Sequence, residues 1–398
     1  MSDPPLILFG AFDRHNFGDL LLAEIAASVL QDRPLVFAGL AERDLTAFGG
    51  RKVRAIADVA REWGEQPADV VHTGGEILTC SLYEAAVMLL SPQAAGTAIA
   101  GHDRDPPARQ AWSEELLGLR QQVAYLVPRS LFRRPRNFRY CGIGGVELAT
   151  LPVPMRREVF TNLRHASHLW VRDQLTQLQL EQAGIPGVLA PDPAVATARL
   201  CGSRIAGHRV DGEPAAVAAR FPRGYLAVQF SAEFGDDATL REIARQLLKV
   251  QRETRLGIVL FRAGAAPWHD DPDVYRRLLA ATPGLAAAVF ASLELWDICA
   301  LLANATAYCG SSLHGRIVAE ACGRPAVNLV RDAGRMTKQA AHALGWGYGS
   351  RPTVLAPADL AMGVTGVLRQ KTAAFDAHVD NLATLALAAF AAGSLPES

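Results

Sequence analysis

Residues 307–330 read Ala-Tyr-Cys-Gly-Ser-Ser-Leu-His-Gly-Arg-Ile-Val-Ala-Glu-Ala-Cys-Gly-Arg-Pro-Ala-Val-Asn-Leu-Val. The pattern predicts a strand over 305–309, a tight turn at Gly310, a short helix, and a second strand over 326–330. Ser311 or Ser312 offers an oxygen to the first free N–H groups of the helix. Leu313, Ile317 and Val318 recur at helical spacing. Gly323 is the expected stop, because a residue without a Cβ takes the left-handed conformation readily, and Pro325 cannot continue a helix. In an open parallel sheet such a turn lies at the carboxyl edge, where ligands bind. The helix N-terminus attracts anions, and His314, Gly315 and Arg316 stand in its first turn. Taken alone, the stretch is equally compatible with an anion site and with a packing turn.

Working outward, 398 residues exceed one typical core, so two domains are expected. Half of the chain is hydrophobic and a fifth is charged, which excludes wholesale disorder. Lys plus Arg equals Asp plus Glu at 40 each, so nothing argues for nucleic acid as a partner. The one basic run, 129–139, reads as a solvated loop, with an acidic sugar or membrane surface as the lesser alternative. The six cysteines are scattered, without a Cys-x-x-Cys pair, and read as reduced thiols. No paired-histidine helix motif or Asp-x-Asp strand end indicates a metal, and no cofactor is implied. The opening Met-Ser-Asp-Pro-Pro has no basic region ahead of a hydrophobic segment, so no signal peptide is expected. The apolar segment 382–392 is shorter than the roughly 20 residues that cross a bilayer. A soluble cytoplasmic protein with at most peripheral membrane association is expected.

Along the chain, strands are expected at 6–9, 35–38, 68–72, 138–143, 169–171 and 188–190, with helices at about 20–30 and 174–183. The first strand leads into a loop containing Asn16-x-Gly-Asp19, where Asp19 reads as a helix cap or, less readily, as a catalytic carboxylate. The third leads into Thr-Gly74-Gly75-Glu76, glycines that allow close backbone approach. Residues 91–109, rich in Gly, Ala and Pro, read as a mobile surface loop. A polar stretch at 199–224 reads as a linker. A second strand and helix series follows, with strands at 225–230, 256–261 and 288–291 and helices at 237–254, from 274, and at 294–302. Arg262 ends a strand, and the next loop holds His269 and Asp270. Helices are expected at 357–369 and 373–392. The predicted architecture is α/β, two Rossmann-like domains with parallel sheets covered on both faces.

The ordered set Asn16-x-Gly18-Asp19, Gly74-Gly75, Gly142-x-Gly144, Val171-Arg172-Asp173, Pro191-Asp192-Pro193 and Gly310-Ser-Ser-Leu-His314-Gly315 with Gly323-x-Pro325 resembles the polysaccharide pyruvyl transferase family. The likeness runs from about Phe9 to Val330. It implies a GT-B-like fold, two Rossmann-like domains facing across a cleft that holds the active site. Residues 1–200 then form the acceptor-side domain, 201–224 the linker, 225–356 the donor-side domain, and 357–398 helices that pack back on the first domain. The resemblance also implies phosphoenolpyruvate as donor and a glycan as acceptor, with the pyruvyl group bridging two hydroxyls as a ketal. Family members often carry Arg directly before the Leu-His pair, where this chain has Ser312. Arg172, Arg262 or Arg316 is then left to supply the missing cation.

Under this resemblance an acid protonates the methylene carbon, cations hold the carboxylate and phosphate, and a base deprotonates the attacking hydroxyls. His314 is assigned acid or donor binding. Asp19 or Glu76 is the expected base, with His269 or Asp270 a further candidate beside the alternative of a packing histidine. Ser311, Ser312, Gly315, Arg316, Arg172 and Arg262 make up the expected donor side. Asn16, Gly74, Gly75, Asp192, His269 and Asp270 make up the expected acceptor side or cleft. Two rival readings are a GT-B glycosyltransferase using a nucleotide sugar and a non-catalytic glycan-binding protein of the same fold.

Overall fold

Continuous apolar runs such as Leu6–Phe9 and Tyr225–Gln229 become strands buried on both faces, as parallel sheets require. The computed structural model describes residues 4–393. Met1, Ser2 and Asp3, part of the segment read for targeting, and 394–398, the end of the expected C-terminal helical segment, lie outside the described residues. The chain divides into two units, one of Met1–Pro193 with Leu385–Ser398 and one of Ala194–Thr384.

The first unit runs β1 (Leu6–Phe9), α1 (Phe17–Val29), β2 (Leu35–Gly39), β3 (Arg43–Asp44), β4 (Lys52–Ala55), α2 (Ile56–Trp63), β5 (Ala68–His72) and α3 (Leu82–Met88). It continues through α4 (Pro92–His102), α5 (Pro106–Leu117), β6 (Pro135–Ile143), α6 (Val153–Leu163), β7 (His168–Val171), α7 (Gln174–Gln182) and β8 (Val188–Leu189). Its sheet order is β3-β4-β2-β1-β5-β6-β7-β8, parallel except for the β3–β4 pair. Ile7, Phe9, Val70, Phe138 and Val171 from the strands pack with Ile56, Val59 and Leu82 from the helices.

The second unit runs α8 (Thr197–Arg209), α9 (Gly212–Arg220), β9 (Tyr225–Gln229), α10 (Asp237–Thr254), β10 (Gly257–Leu260), α11 (Pro272–Ala280), β11 (Ala287–Val289) and α12 (Leu295–Asn304). It continues through β12 (Ala307–Gly310), α13 (Leu313–Ala321), β13 (Ala326–Leu329), α14 (Lys338–Trp346), β14 (Val354–Leu355), α15 (Leu360–Leu368) and, as far as Thr384, α16 (Ala373–Ala392). Its sheet order is β11-β10-β9-β12-β13-β14. Counted from β9 this is 3-2-1-4-5-6, the order of a doubly wound nucleotide-binding sheet.

Three expectations are corrected. Residues 91–109 are not a mobile loop: Ser91 and Asp105 cap α4 and α5, and the prolines read as breakers occupy their first helical positions. Residues 201–224 are not a linker, since α8 and α9 fill most of the stretch and bury Cys201, Ile205 and Val217. Their polar residues are the solvated faces of helices. Of the segment 357–398, α15 contributes Leu360, Val364 and Val367 to the core of the second unit. From Leu385 onward α16 belongs to the first unit, where Phe390 meets Trp170 edge-on at 5.1 Å and Arg139 donates to the Gly393 carbonyl at 2.7 Å.

Candidate active site

In the second unit the sheet order reverses between β9 and β12, and the residues ending these two strands lie at the carboxyl edge, where a doubly wound sheet binds its ligands. Ser312 caps α13, its Oγ accepting from the Gly315 N–H at 3.1 Å. The Ser311 Oγ accepts from the Ser231 N–H at 3.0 Å, and its carbonyl accepts from Gln339 at 2.7 Å. Both hydroxyls therefore build the turn. Gly315 is needed for packing: a Cβ there would lie 2.6 Å from the Tyr308 hydroxyl, which donates to the Ser312 carbonyl at 3.0 Å. His314, half-buried, stands at the second helical position. Gly323, with φ 69°, ends the helix region as its sequence predicts.

Gln229, at the end of β9, joins this turn to the neighbouring loop. Its Oε1 accepts from the Ser312 N–H at 2.8 Å and its Nε2 donates to Asp270 Oδ1 at 2.7 Å. Asp270 Oδ2 accepts from the Ala263 N–H at 2.6 Å. Burial pushes the Asp270 carboxyl up to about 7, against these hydrogen bonds and the nearby Arg262 charge, which draw it down. A group poised near neutrality in a sheet crevice is suited to proton transfer. His269 holds the loop instead. Its ring packs against Gly264, its Nδ1 lies 3.1 Å from the Pro267 carbonyl, and its own carbonyl accepts from Ala232. Its neighbour Trp268 is 51 % exposed.

The three candidate cations differ sharply. Arg316 is fully buried, its Nε on Glu320 at 3.0 Å. Arg172, also buried, sits in the first unit between Asp192 at 2.7 Å and Glu76 at 2.7 Å. Burial opposes the Arg172 charge, but the two carboxylates outweigh that and hold its pKa above the ordinary value. Arg262 is part-exposed just past β10 and, among the described residues, has neither an ion pair nor a hydrogen bond from its guanidinium.

The first unit has its own reversal, between β1 and β5, and brings together the loops after those strands. Asn16, not Asp19, caps α1, accepting from Gly18 and Asp19 N–H groups at 3.0 and 3.4 Å. That leaves the Asp19 carboxylate facing Arg14 Nη2 at 3.6 Å, with the Gly75 Cβ position 3.4 Å from its Oδ1. Gly74, at φ 105°, has no room for a side chain, since a Cβ would lie 2.6 Å from the Cys141 carbonyl. Both Glu76 oxygens are engaged, Oε1 by the Val146 N–H at 2.9 Å and Oε2 by Arg172. Gly144 makes that ion pair possible, because a Cβ there would meet Glu76 and Arg172 at 2.5 and 2.6 Å.

Several residues of these crevices carry no motif. Arg14 hydrogen-bonds the Tyr125 hydroxyl, and Tyr125 in turn reaches the buried Asp13 carboxylate at 3.4 Å. Gln229 and Asn328 join loops 16 to 83 positions away. A polar residue at the end of an apolar strand was the one available signal. His208, Glu294 and Asp297 offer possible metal-ligand atoms within 4.8 Å of one another. His208 Nδ1 lies 2.7 Å from Asp297, and Glu294 caps α12, so the group already serves as a polar clip between α8 and α12. The basic run is partly neutralised: Arg133 pairs with Glu65 and Arg136 with Asp69, while Arg129, Arg134 and Arg139 donate to backbone carbonyls.

Comparison with known proteins bears on part of the chain. Residues 150–332 match the model of the family described as polysaccharide pyruvyl transferase. That segment is similar to the polysaccharide pyruvyl transferase family. The match takes in Arg172, Asp192, Arg262, Asp270 and the 311–316 turn, whereas Asn16, Asp19, Gly74, Gly75 and Glu76 precede it. It marks the chain as a transferase and supports polysaccharide pyruvyl transfer in general.

Among solved structures, the chain is similar to a UDP-GlcNAc 2-epimerase from Neisseria meningitidis bound to UDP-GlcNAc, at TM-score 0.56 and 10% identity, covering 98% of each chain. It is also similar to S. aureus MnaA in a co-structure with UDP, at TM-score 0.55 and 11% identity, covering 96% of this chain and 92% of that one. A trehalose 6-phosphate synthase from Burkholderia multivorans matches at TM-score 0.52 and 11% identity, covering 98% and 96%. At such identities the likeness shows the fold, which is GT-B-like. No curated protein sequence matches the chain. No described helix is long and apolar enough to cross a membrane.

Proposed function

We propose that this pyruvyl transferase takes its pyruvyl group from phosphoenolpyruvate and places it on two hydroxyls of a sugar in a cell-surface polysaccharide or its precursor, forming a ketal. The observation that carries the donor assignment is Arg262, an uncommitted guanidinium at the carboxyl edge beside the Gln229–Ser312 turn. It stands in for the arginine that Ser312 replaces. A guanidinium matches carboxylate or phosphate with two parallel hydrogen bonds, and the α13 N-terminus adds its dipole.

In this reading an acid of the second unit, Asp270 or His314, protonates the methylene carbon, and the adjacent carbon becomes electrophilic. One acceptor hydroxyl adds there, phosphate leaves, and the second hydroxyl closes the ketal. Two protons leave the acceptor: one replaces the proton now in the methyl group, and the other departs with phosphate. Of the two carboxylates expected as base, Asp19 is the one we assign, because both Glu76 oxygens are engaged.

The test is phosphate release from phosphoenolpyruvate with candidate glycans, run beside nucleotide sugars. A second reading, transfer from a nucleotide sugar, draws on the nucleotide-bound structures that share the fold. Turnover with a nucleotide sugar and none with phosphoenolpyruvate would select it. Glycan binding with no turnover on either donor would select a non-catalytic binding protein. On the proposed function, His314→Ala abolishes turnover with little change in Tm.

A further inference from the structure

At the opposite edge of the second unit's sheet, the amino ends of β9, β10 and β11 surround a cavity of about 370 Å³. It is lined by Arg220, Phe221, Arg223, Gln251, Arg255 and Leu256 among others, and no lining residue is acidic. Its walls are fixed by local bonding. The Gln251 amide donates to the Leu256 and Ala286 carbonyls at 3.2 and 3.1 Å and accepts from the Ala286 N–H at 3.0 Å. The Phe221 ring stands directly on Gly257, where a Cβ would lie 2.2 Å from it. Arg220 lies over that ring and donates to the Ala287 carbonyl at 2.9 Å.

The other two arginines are uncommitted. Arg223 and Arg255 are exposed and, among the described residues, neither guanidinium has an ion pair or hydrogen bond. The run at 129–139 shows the contrast, since there Glu65 and Asp69 pair with Arg133 and Arg136 and the other arginines donate to backbone carbonyls. Arg255 also holds φ 61°, a conformation uncommon for a residue with a Cβ. Three like charges around one concavity repel one another unless an anion joins them.

We propose that this cavity binds a phosphoryl group carried on an apolar or aromatic moiety. The guanidiniums take the phosphoryl oxygens, and Phe221, Pro222 and Leu256 take the remainder. The volume falls within the range of small-ligand sites, about 300–1,000 Å³. The cavity lies at Tyr225, the start of β9, while the proposed donor turn lies at Gln229, its end. The site is therefore separate from the donor crevice, and the inference does not depend on the proposed function. A soluble phosphate ester and a lipid headgroup share this chemistry.

The full chain is titrated calorimetrically with phenyl phosphate and tested for co-sedimentation with phosphatidylcholine vesicles, with and without phosphatidylglycerol. The comparison uses Arg223→Gln, the double variant with Arg255→Gly, and Ser311→Ala. Glycine suits φ 61°, so the double variant removes charge without straining the backbone. The expected result is a loss of affinity of about tenfold or more in the double variant, a smaller loss in Arg223→Gln, and none in Ser311→Ala. Binding of phenyl phosphate identifies a soluble ligand, and binding only to anionic vesicles identifies a headgroup; either supports the site. If neither probe binds, or if the Arg223 and Arg255 substitutions leave binding unchanged, the proposal fails.

Discussion

The Gln229 side chain accepts the Ser312 N–H at 2.8 Å while donating to Asp270 at 2.7 Å, so one amide spans the point where the sheet order reverses. It couples the cap of α13 to the one carboxyl of that crevice that titrates near neutrality. Gln229→Leu leaves both partners unsatisfied in a region with little access to water. Denaturant unfolding should show a loss of about 1–3 kcal/mol. Turnover should fall further than stability does, and Gln229→Glu should not restore it, because a carboxylate cannot donate to Asp270.

Arg262 gives a different signature. With no bond to lose, Arg262→Ala should change stability by no more than about 0.5 kcal/mol. Steady-state kinetics should show KM for phosphoenolpyruvate rising about tenfold to a hundredfold, the loss of a charged hydrogen-bonding pair. An unchanged KM would remove Arg262 from the donor site.

The Asp270 carboxyl, raised by burial from 3.8 to about 7, fixes the sign of one pH dependence. Between those values the folded state holds a proton that the unfolded state lacks. Its contribution to stability is complete at low pH and is lost as pH rises through about 7. The difference in unfolding free energy between wild type and Asp270→Asn should therefore shift over that window and stay level above it. If Asp270 is the acid, kcat also falls above neutrality in the wild type, and the variant lacks that limb.

In the first unit, Arg172 is expected to matter for folding before function. Arg172→Leu removes the guanidinium that pairs with the fully buried Asp192 carboxylate, and removing one partner of a buried pair costs about 3–5 kcal/mol. Glu76→Gln keeps an acceptor for the Arg172 guanidinium and should cost less. Urea midpoints of the two variants test the order.

Much of the fold was legible because its signals are local. Apolar runs bounded by turn residues marked β1, β5, β9, β12 and β13, and Ser312 with Gly323 marked the ends of the α13 region. Prolines misled at α4 and α5, where a residue type that breaks a helix interior instead starts one. The polar stretch over α8 and α9 misled because a solvated helix face and a linker share a composition.

The sequence by itself determined that two strand and helix series follow one another and that a capped turn carries His314, while the resemblance implied an arginine where Ser312 stands. Only the tertiary structure decided which of the three candidate arginines is uncommitted. Arg172, Arg262 and Arg316 are the same residue in sequence. Their difference comes from partners in space: carboxylates 20 and 96 positions away hold Arg172, a full covering of protein encloses Arg316, and Arg262 is left uncommitted. Burial and pairing arise from long-range packing, which local residue patterns do not encode.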